Sequence, residues 1–259
     1  MLISPKWRVV HTMLNGHLWR AWPVIGMILL VLLFGSMAVS FAAEPAAARP
    51  LEDSIAQRVI ACTACHGDAG RATSDGFFPR IASKPADYLY NQLLNFRAGR
   101  RRSPPMTYMV EYLSDAYLHE IARYFSDLHP PYPPPQPVRA NAATLERGRQ
   151  LVQLGDRSKQ VPACIACHGQ RLTGTLPTIP GLIGLSHDYL NAQFGAWKNE
   201  TRRASAPDCM AQIINRLSDQ DLNAAASWLA AQPPPGPENG APQPRVEHAL
   251  PLPCGSFPE

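Results

Sequence analysis

Residues 62 to 67 read Cys-Thr-Ala-Cys-His-Gly, and residues 164 to 169 read Cys-Ile-Ala-Cys-His-Gly. From position 62 to position 164 is an offset of 102, and other words return at nearly that distance. Asp87-Tyr88-Leu89 comes back as Asp188-Tyr189-Leu190, and Leu113-Ser114-Asp115 as Leu217-Ser218-Asp219. Self-similarity in this order means two similar structural units in tandem.

Each copy reads as helical, with few alternating apolar runs that would argue for strands, so the expected fold class is all-α. Ser83 or Lys84 is the expected start of a helix carrying Leu89, Leu93 and Phe96, closed by Gly99. Its twin begins at Ser186 and carries Leu190, Phe194 and Trp197. Ser114 is placed to cap a later helix with Leu118, Ile121, Ala122 and Phe125 on one side. Ser218 is placed to cap its twin, with Leu222, Ala225, Ala226 and Leu229 in the same places and Asp221 favouring the N-terminus.

Cys-x-x-Cys-His is the attachment signature of c-type haem: two thiols add to the porphyrin vinyl groups and the adjoining imidazole coordinates iron. Two copies imply two covalently bound haem c groups, on Cys62 and Cys65 and on Cys164 and Cys167, with His66 and His168 as axial ligands. Zinc would need further closely spaced Cys or His in each copy, and none recurs. A redox dithiol would need a βαβ setting, which the helical pattern denies. Counting back eight residues from Ser114 reaches Met106, and eight from Ser218 reaches Met210. Recurrence in register makes these the expected sixth ligands, whereas Met109 faces Ile213 in the other copy. A thioether trans to imidazole raises the reduction potential and closes the iron to small molecules. Pro79 and Pro180 follow the histidines by 13 and 12 residues, where a carbonyl can accept the ligand imidazole's other N–H.

The ends have a different character. Lys6, Arg8 and Arg20 precede an uncharged apolar run, 23–43. This reads as an export signal with a cleavage site near Ser40-Phe41-Ala42, or as a retained inner-membrane anchor, since the run approaches the roughly 20 residues that span a bilayer. Either way the rest of the chain is expected in the periplasm, soluble or tethered. Prolines crowd at 129–137 and 232–237. The expected division is therefore 1–43 leader or anchor, 44–130 first haem domain, 131–140 linker, 141–232 second haem domain and 233–259 tail. Without the three leader cations the chain has 21 basic against 20 acidic residues, from 24 and 20 overall. No basic field survives to indicate nucleic acid. The local run Arg97, Arg100, Arg101 and Arg102 reads either as a solvated helix end or as a docking site for an acidic partner or haem propionates. Tyr88 and Tyr189 recur and read as packing residues. Cys209 and Cys254 remain once the haem thiols are assigned; in an oxidising compartment they either pair, closing a loop worth about 4 kcal/mol by chain entropy, or stay as a buried thiol and a tail thiol.

Taken together, CTACHGDAG, FPRIAS, DYLYNQLLNFRAGRR and MTYMVEYLSD in the first copy, with LERGRQLVQLGD, CIACHG, DYLNAQFGAWKNETRR and MAQIINRLSDQDL in the second, resemble the cytochrome c4 family. The resemblance covers residues 50 to 232. It implies two tandem class I cytochrome c domains related by pseudo-twofold symmetry, and ligand pairs His66/Met106 and His168/Met210. The family's usual Gly-Gln after the prolines is missing in both copies, so its interface hydrogen bonds do not carry over. The implied role is an electron carrier in a respiratory chain, not an enzyme, passing electrons toward a terminal oxidase from a redox protein such as a quinol-oxidising complex. The alternative is the cytochrome subunit of a periplasmic dehydrogenase. A peroxidase would need an open iron, against which the two matched methionines count.

Overall fold

The structure, a computed structural model, describes residues 53–135, 137–236, 240–244 and 249–257. The expected leader or anchor, 1–43, lies outside them. The described residues form one compact unit, and no helix among them is long and apolar enough to cross a membrane.

In the first copy, α1 (Ile55–Arg58) and α2 (Ile60–His66) lead into a short 3-10 turn at Asp68–Gly70. Then come α3 (Ala86–Arg97), α4 (Pro104–Val110) and α5 (Asp115–Asp127). The stripe expected on α5 is buried at Leu118, Ile121, Ala122 and Phe125, and the Ser114 hydroxyl accepts from the Tyr117 N–H as its cap. The second copy runs α6 (Ala142–Gln153), α7 (Ile165–His168), α8 (His187–Lys198), α9 (Cys209–Arg216) and α10 (Asp219–Ala230). A minimal antiparallel pair, β1 (Gly174–Thr175) and β2 (Ile179–Pro180), lies between α7 and α8. Ser218 and Asp221 close a reciprocal capping box on α10. Helices α6 and α10 meet at Gly148, where a Cβ would strike the Ala224 carbonyl.

Helix α3 does not begin at Ser83 or Lys84. Pro85 is its N-cap, and the residue before a proline is kept out of the helical region, so Lys84 lies in a bend ahead of the helix. Ser83 adopts a left-handed φ of +59° and donates its hydroxyl to the Leu128 carbonyl at 2.8 Å. Its counterpart Ser186 does cap α8, accepting from the Tyr189 N–H at 3.0 Å.

The apolar clusters separate by copy. One gathers Leu151, Val152, Leu190, Trp197, Ile214, Leu222 and Leu229. Val59, Leu89, Ile121, Ala122 and Phe125 form another, beside Phe96, Val110 and Leu118. Among the described residues none mixes the two halves.

Polar groups join the halves instead. Arg101 donates to Gln92 of its own half at 2.9 Å and across to the Tyr189 hydroxyl at 2.9 Å and Gln193 at 2.7 Å. Arg202 mirrors it, donating to its own Gln193 at 2.7 Å and across to the Tyr88 hydroxyl and Gln92, each at 3.4 Å. Backbone bonds Arg102 N–H to Thr201 O (2.8 Å) and Arg203 N–H to Arg100 O (2.7 Å) run alongside. The arginine run is thus divided among tasks. Arg97 bonds the Leu113 carbonyl and Asp115, Arg100 bonds Asn95, Arg101 joins the halves, and only Arg102 has an exposed side chain.

The proline-rich stretches are also anchored. The Arg80 guanidinium lies 4.0 Å from the centre of the Tyr132 ring, which also lies against Gly184 in the second half, and the Tyr132 hydroxyl donates to the Gly240 carbonyl at 3.2 Å. In the tail, Gln243 N–H donates to Gly174 O at 2.8 Å, and its carbonyl accepts from Leu176 N–H at 2.9 Å. Cys254 is disulfide-bonded to Cys209 with Cα atoms 4.9 Å apart.

Candidate functional site

His66 ends α2 and His168 ends α7, and both are buried, 8% and 7% exposed. Each points Nδ1 at the carbonyl of the proline singled out above, His66 to Pro79 O at 3.0 Å and His168 to Pro180 O at 2.7 Å. A carbonyl oxygen only accepts, so the proton sits on Nδ1 and Nε2 keeps a bare lone pair. Burial holds both imidazoles below the ordinary histidine value, His168 at about 4, so that both are neutral at neutral pH. A neutral imidazole with its proton fixed on the far nitrogen is the form that binds a metal.

The residue after each histidine is glycine with a backbone that side chains avoid: φ +77° and ψ 165° at Gly67, φ +82° and ψ 155° at Gly169. These glycines turn the chain away from the imidazole. They were visible in the repeated hexapeptide, but their role was not.

Cys62, Cys65, Cys164 and Cys167 are unpaired thiols, three of them half-buried. Burial pushes the Cys164 thiol up to about 12 and raises Cys62 and Cys167 as well, so they rest as protonated thiols rather than metal-binding thiolates. Among the described residues no group of three or more His, Cys, Asp or Glu could hold a metal ion. Met106 packs, half-buried, against the Phe96, Val110 and Leu118 cluster, and Met210 against the second-half core.

Haem fits this donor set. Besides two thiols and one prepared imidazole per half, the chain holds buried polar atoms that lack partners: Arg80 Nε, Trp197 Nε1, Thr173 Oγ1 and Thr178 Oγ1. An unmet buried donor costs about 1–3 kcal/mol, and haem brings carboxylates. Buried cations repeat the point. Lys84, 5% exposed, donates from Nζ to the Gly181 carbonyl at 2.6 Å; Arg80, 2% exposed, donates to the carbonyls of Pro130 at 2.6 Å and Pro131 at 3.1 Å. Among the described residues no carboxylate is within ion-pair distance of Lys84, Arg80, Arg101 or Arg202.

Gln92, Gln193 and Arg202 had no assigned role in the sequence reading, Arg101 was read only as part of a basic run, and Lys84 only as a helix start. For four of them the signal was present, because Tyr88, Gln92 and Arg101 recur as Tyr189, Gln193 and Arg202 at one constant offset of 101, from 88 to 189. Tyr88 and Tyr189 do more than pack, since their hydroxyls accept the arginines of the opposite half. Lys84 has Leu185 at its matching position and left no such trace.

No protein-family profile matches the chain. It is 38% identical over 206 residues, 78% of this chain and 91% of the relative, to a protein named thiosulfate dehydrogenase electron acceptor from Thiomonas intermedia. Among solved structures it resembles reduced cytochrome c4 from Pseudomonas stutzeri, with a TM-score of 0.57 and 29% identity over 67% of this chain and 94% of that one. It also resembles the thiosulfate dehydrogenase TsdBA of Marichromatium purpuratum, with a TM-score of 0.60 and 31% identity over 66% of this chain and 36% of that longer one. The repeated histidine sites, the all-α halves and these likenesses converge on one conclusion: the chain belongs to the cytochrome c4 family, dihaem c-type cytochromes built of two class I cytochrome c domains that transfer electrons.

Proposed function

We propose that this cytochrome accepts electrons from an exported dehydrogenase acting on a reduced sulfur compound of the thiosulfate kind, and passes them toward a membrane oxidase. The observation that carries the donor is the 38% identity, across 91% of its length, to a protein named as the electron acceptor of thiosulfate dehydrogenase.

In this reading Cys62 and Cys65 anchor one haem and Cys164 and Cys167 the other. His66 with Met106, and His168 with Met210, would hold the two irons. The carbonyls of Pro79 and Pro180 hold each imidazole in one tautomer and one orientation, which limits reorganisation when charge changes. Bound haem would supply one-electron ferric/ferrous chemistry, and two haems per chain would match a two-electron oxidation of substrate by the donor. Irons held by these residues would offer no open position to substrate or peroxide, which favours electron transfer over catalysis. Residues 44–130 and 141–232 carry one haem each, with 131–140 as connector and 233–259 as tail. The protein works in the periplasm, released by cleavage of its leader or tethered by it to the inner membrane.

The test mixes ferric protein with purified thiosulfate dehydrogenase and thiosulfate in a stopped-flow spectrometer. Uptake of two electrons per chain at a rate that saturates with cytochrome concentration is expected. Failure to reduce under these conditions, while ascorbate reduces both sites, overturns the donor assignment.

A further inference from the structure

Each imidazole has a cation of this chain within electrostatic reach. For His66 it is Arg101 of the same half, whereas for His168 it is Lys84, which belongs to the opposite half. Lys84 is held there by geometry. From a bend just ahead of α3 it crosses between the halves, buries its stem and places Nζ 2.6 Å from the Gly181 carbonyl. Gly181 directly follows Pro180, whose own carbonyl fixes His168. The second half offers nothing in return at that register, because the matching residue is Leu185.

We infer that Lys84 tunes the second haem site from the first half, its ammonium raising the reduction potential of the iron carried by His168. This rests on the dihaem reading above. When that iron takes one electron from the donor, no bond forms or breaks and the site loses one unit of positive charge. A cation nearby therefore favours the reduced form, and burial keeps solvent and salt from screening it; burial also lowers the Lys84 ammonium to about 7, so the charge is in place at pH 6. At an effective dielectric of about 20, a unit charge on the order of 10 Å from any redox centre changes its one-electron equilibrium by about tenfold.

The experiment is a redox titration of the full holoprotein at pH 6, with haem-methyl NMR signals assigning each potential to its site. Three variants are compared. Lys84→Arg keeps the charge, Lys84→Gln removes it but keeps a donor for the Gly181 carbonyl, and Lys84→Met removes both. Expected is a fall of about tenfold in the second site's electron affinity in Lys84→Gln and Lys84→Met alike, about 59 mV for one electron. The first site should move less, and Lys84→Arg should stay near wild type. An unchanged second potential in Lys84→Gln, or equal shifts at both sites, overturns the inference. If Lys84→Met does not assemble, Lys84→Gln decides alone. A wild-type pyridine haemochrome count below two haems per chain would instead strike the dihaem reading, and separates the two failures.

Discussion

At the residue scale, the two copies of the haem motif are close to superimposable in their demands. Both end a helix on histidine, both follow it with a glycine at positive φ, and both aim Nδ1 at a proline carbonyl. The surroundings of the two glycines differ. A Cβ at Gly67 would collide with the backbone carbonyl of Ala72, whereas one at Gly169 would meet the flexible side-chain amide of Gln243. Both Gly67→Ala and Gly169→Ala carry backbone strain of about 1–3 kcal/mol, so the added collision should make Gly67→Ala the more damaging. Thermal melts of the two holoproteins, with haem content measured alongside, check the order. The bonds of His66 to Pro79 and of His168 to Pro180 were legible, because the motif recurs and a proline follows it at nearly the same distance each time. Lys84 was not, because its partner lies 97 residues away and its own twin is leucine.

At the scale of elements, serine caps were readable wherever nothing competed with them: Ser114, Ser186 and Ser218 all cap the helices expected of them. Ser83 failed because Pro85 took the capping position and left Ser83 to bond the end of α5. The start of α10 is held by more than its cap. Asp221 also binds Arg147 at 2.8 Å and Lys159, while Arg147 binds Asp156 at 2.7 Å, tying α6, α10 and the 3-10 turn at Arg157–Lys159 together. The lysine and arginine bonds hold the Asp221 carboxyl well below the usual range despite its burial, and the Arg147 bond holds Asp156 at about 2. Depressed carboxylates give stability that is complete above the ordinary value of 3.8 and lost as pH falls through the folded values. Asp221→Asn should therefore cost about 2 kcal/mol at pH 6, part-exposed partners moderating the loss. The gap from wild type should narrow by pH 2.5, read from urea unfolding of the second half by tryptophan fluorescence. A constant gap across that range would assign the loss to the neutral cap bond alone.

At the scale of the whole molecule, the halves keep separate apolar cores and meet through a reciprocal set of arginine, tyrosine and glutamine side chains. Hydrogen bonds from a charged donor contribute about 1.5–3 kcal/mol each when their partner would otherwise be stranded. Replacing both Arg101 and Arg202 by methionine should loosen the halves while leaving each helical core intact. Small-angle scattering should show a larger radius of gyration with unchanged far-UV circular dichroism, and a compact double variant would refute the assignment. The duplication and the helical class were plain in the sequence. The joint was hidden, because no single-copy reading says that Arg101 crosses to Tyr189 rather than to solvent.

That joint has the form of an isologous contact, the kind two identical subunits make, since each half presents the same patch to the other. Here both patches belong to one chain, and Tyr132 of the connector is clasped at Arg80 and Gly184. Pairing is thus unimolecular, with an effective concentration on the order of millimolar for a short connector. In the proposed reading, an electron passed between the halves would not wait for a collision, and dilution would slow only the steps that involve a second protein.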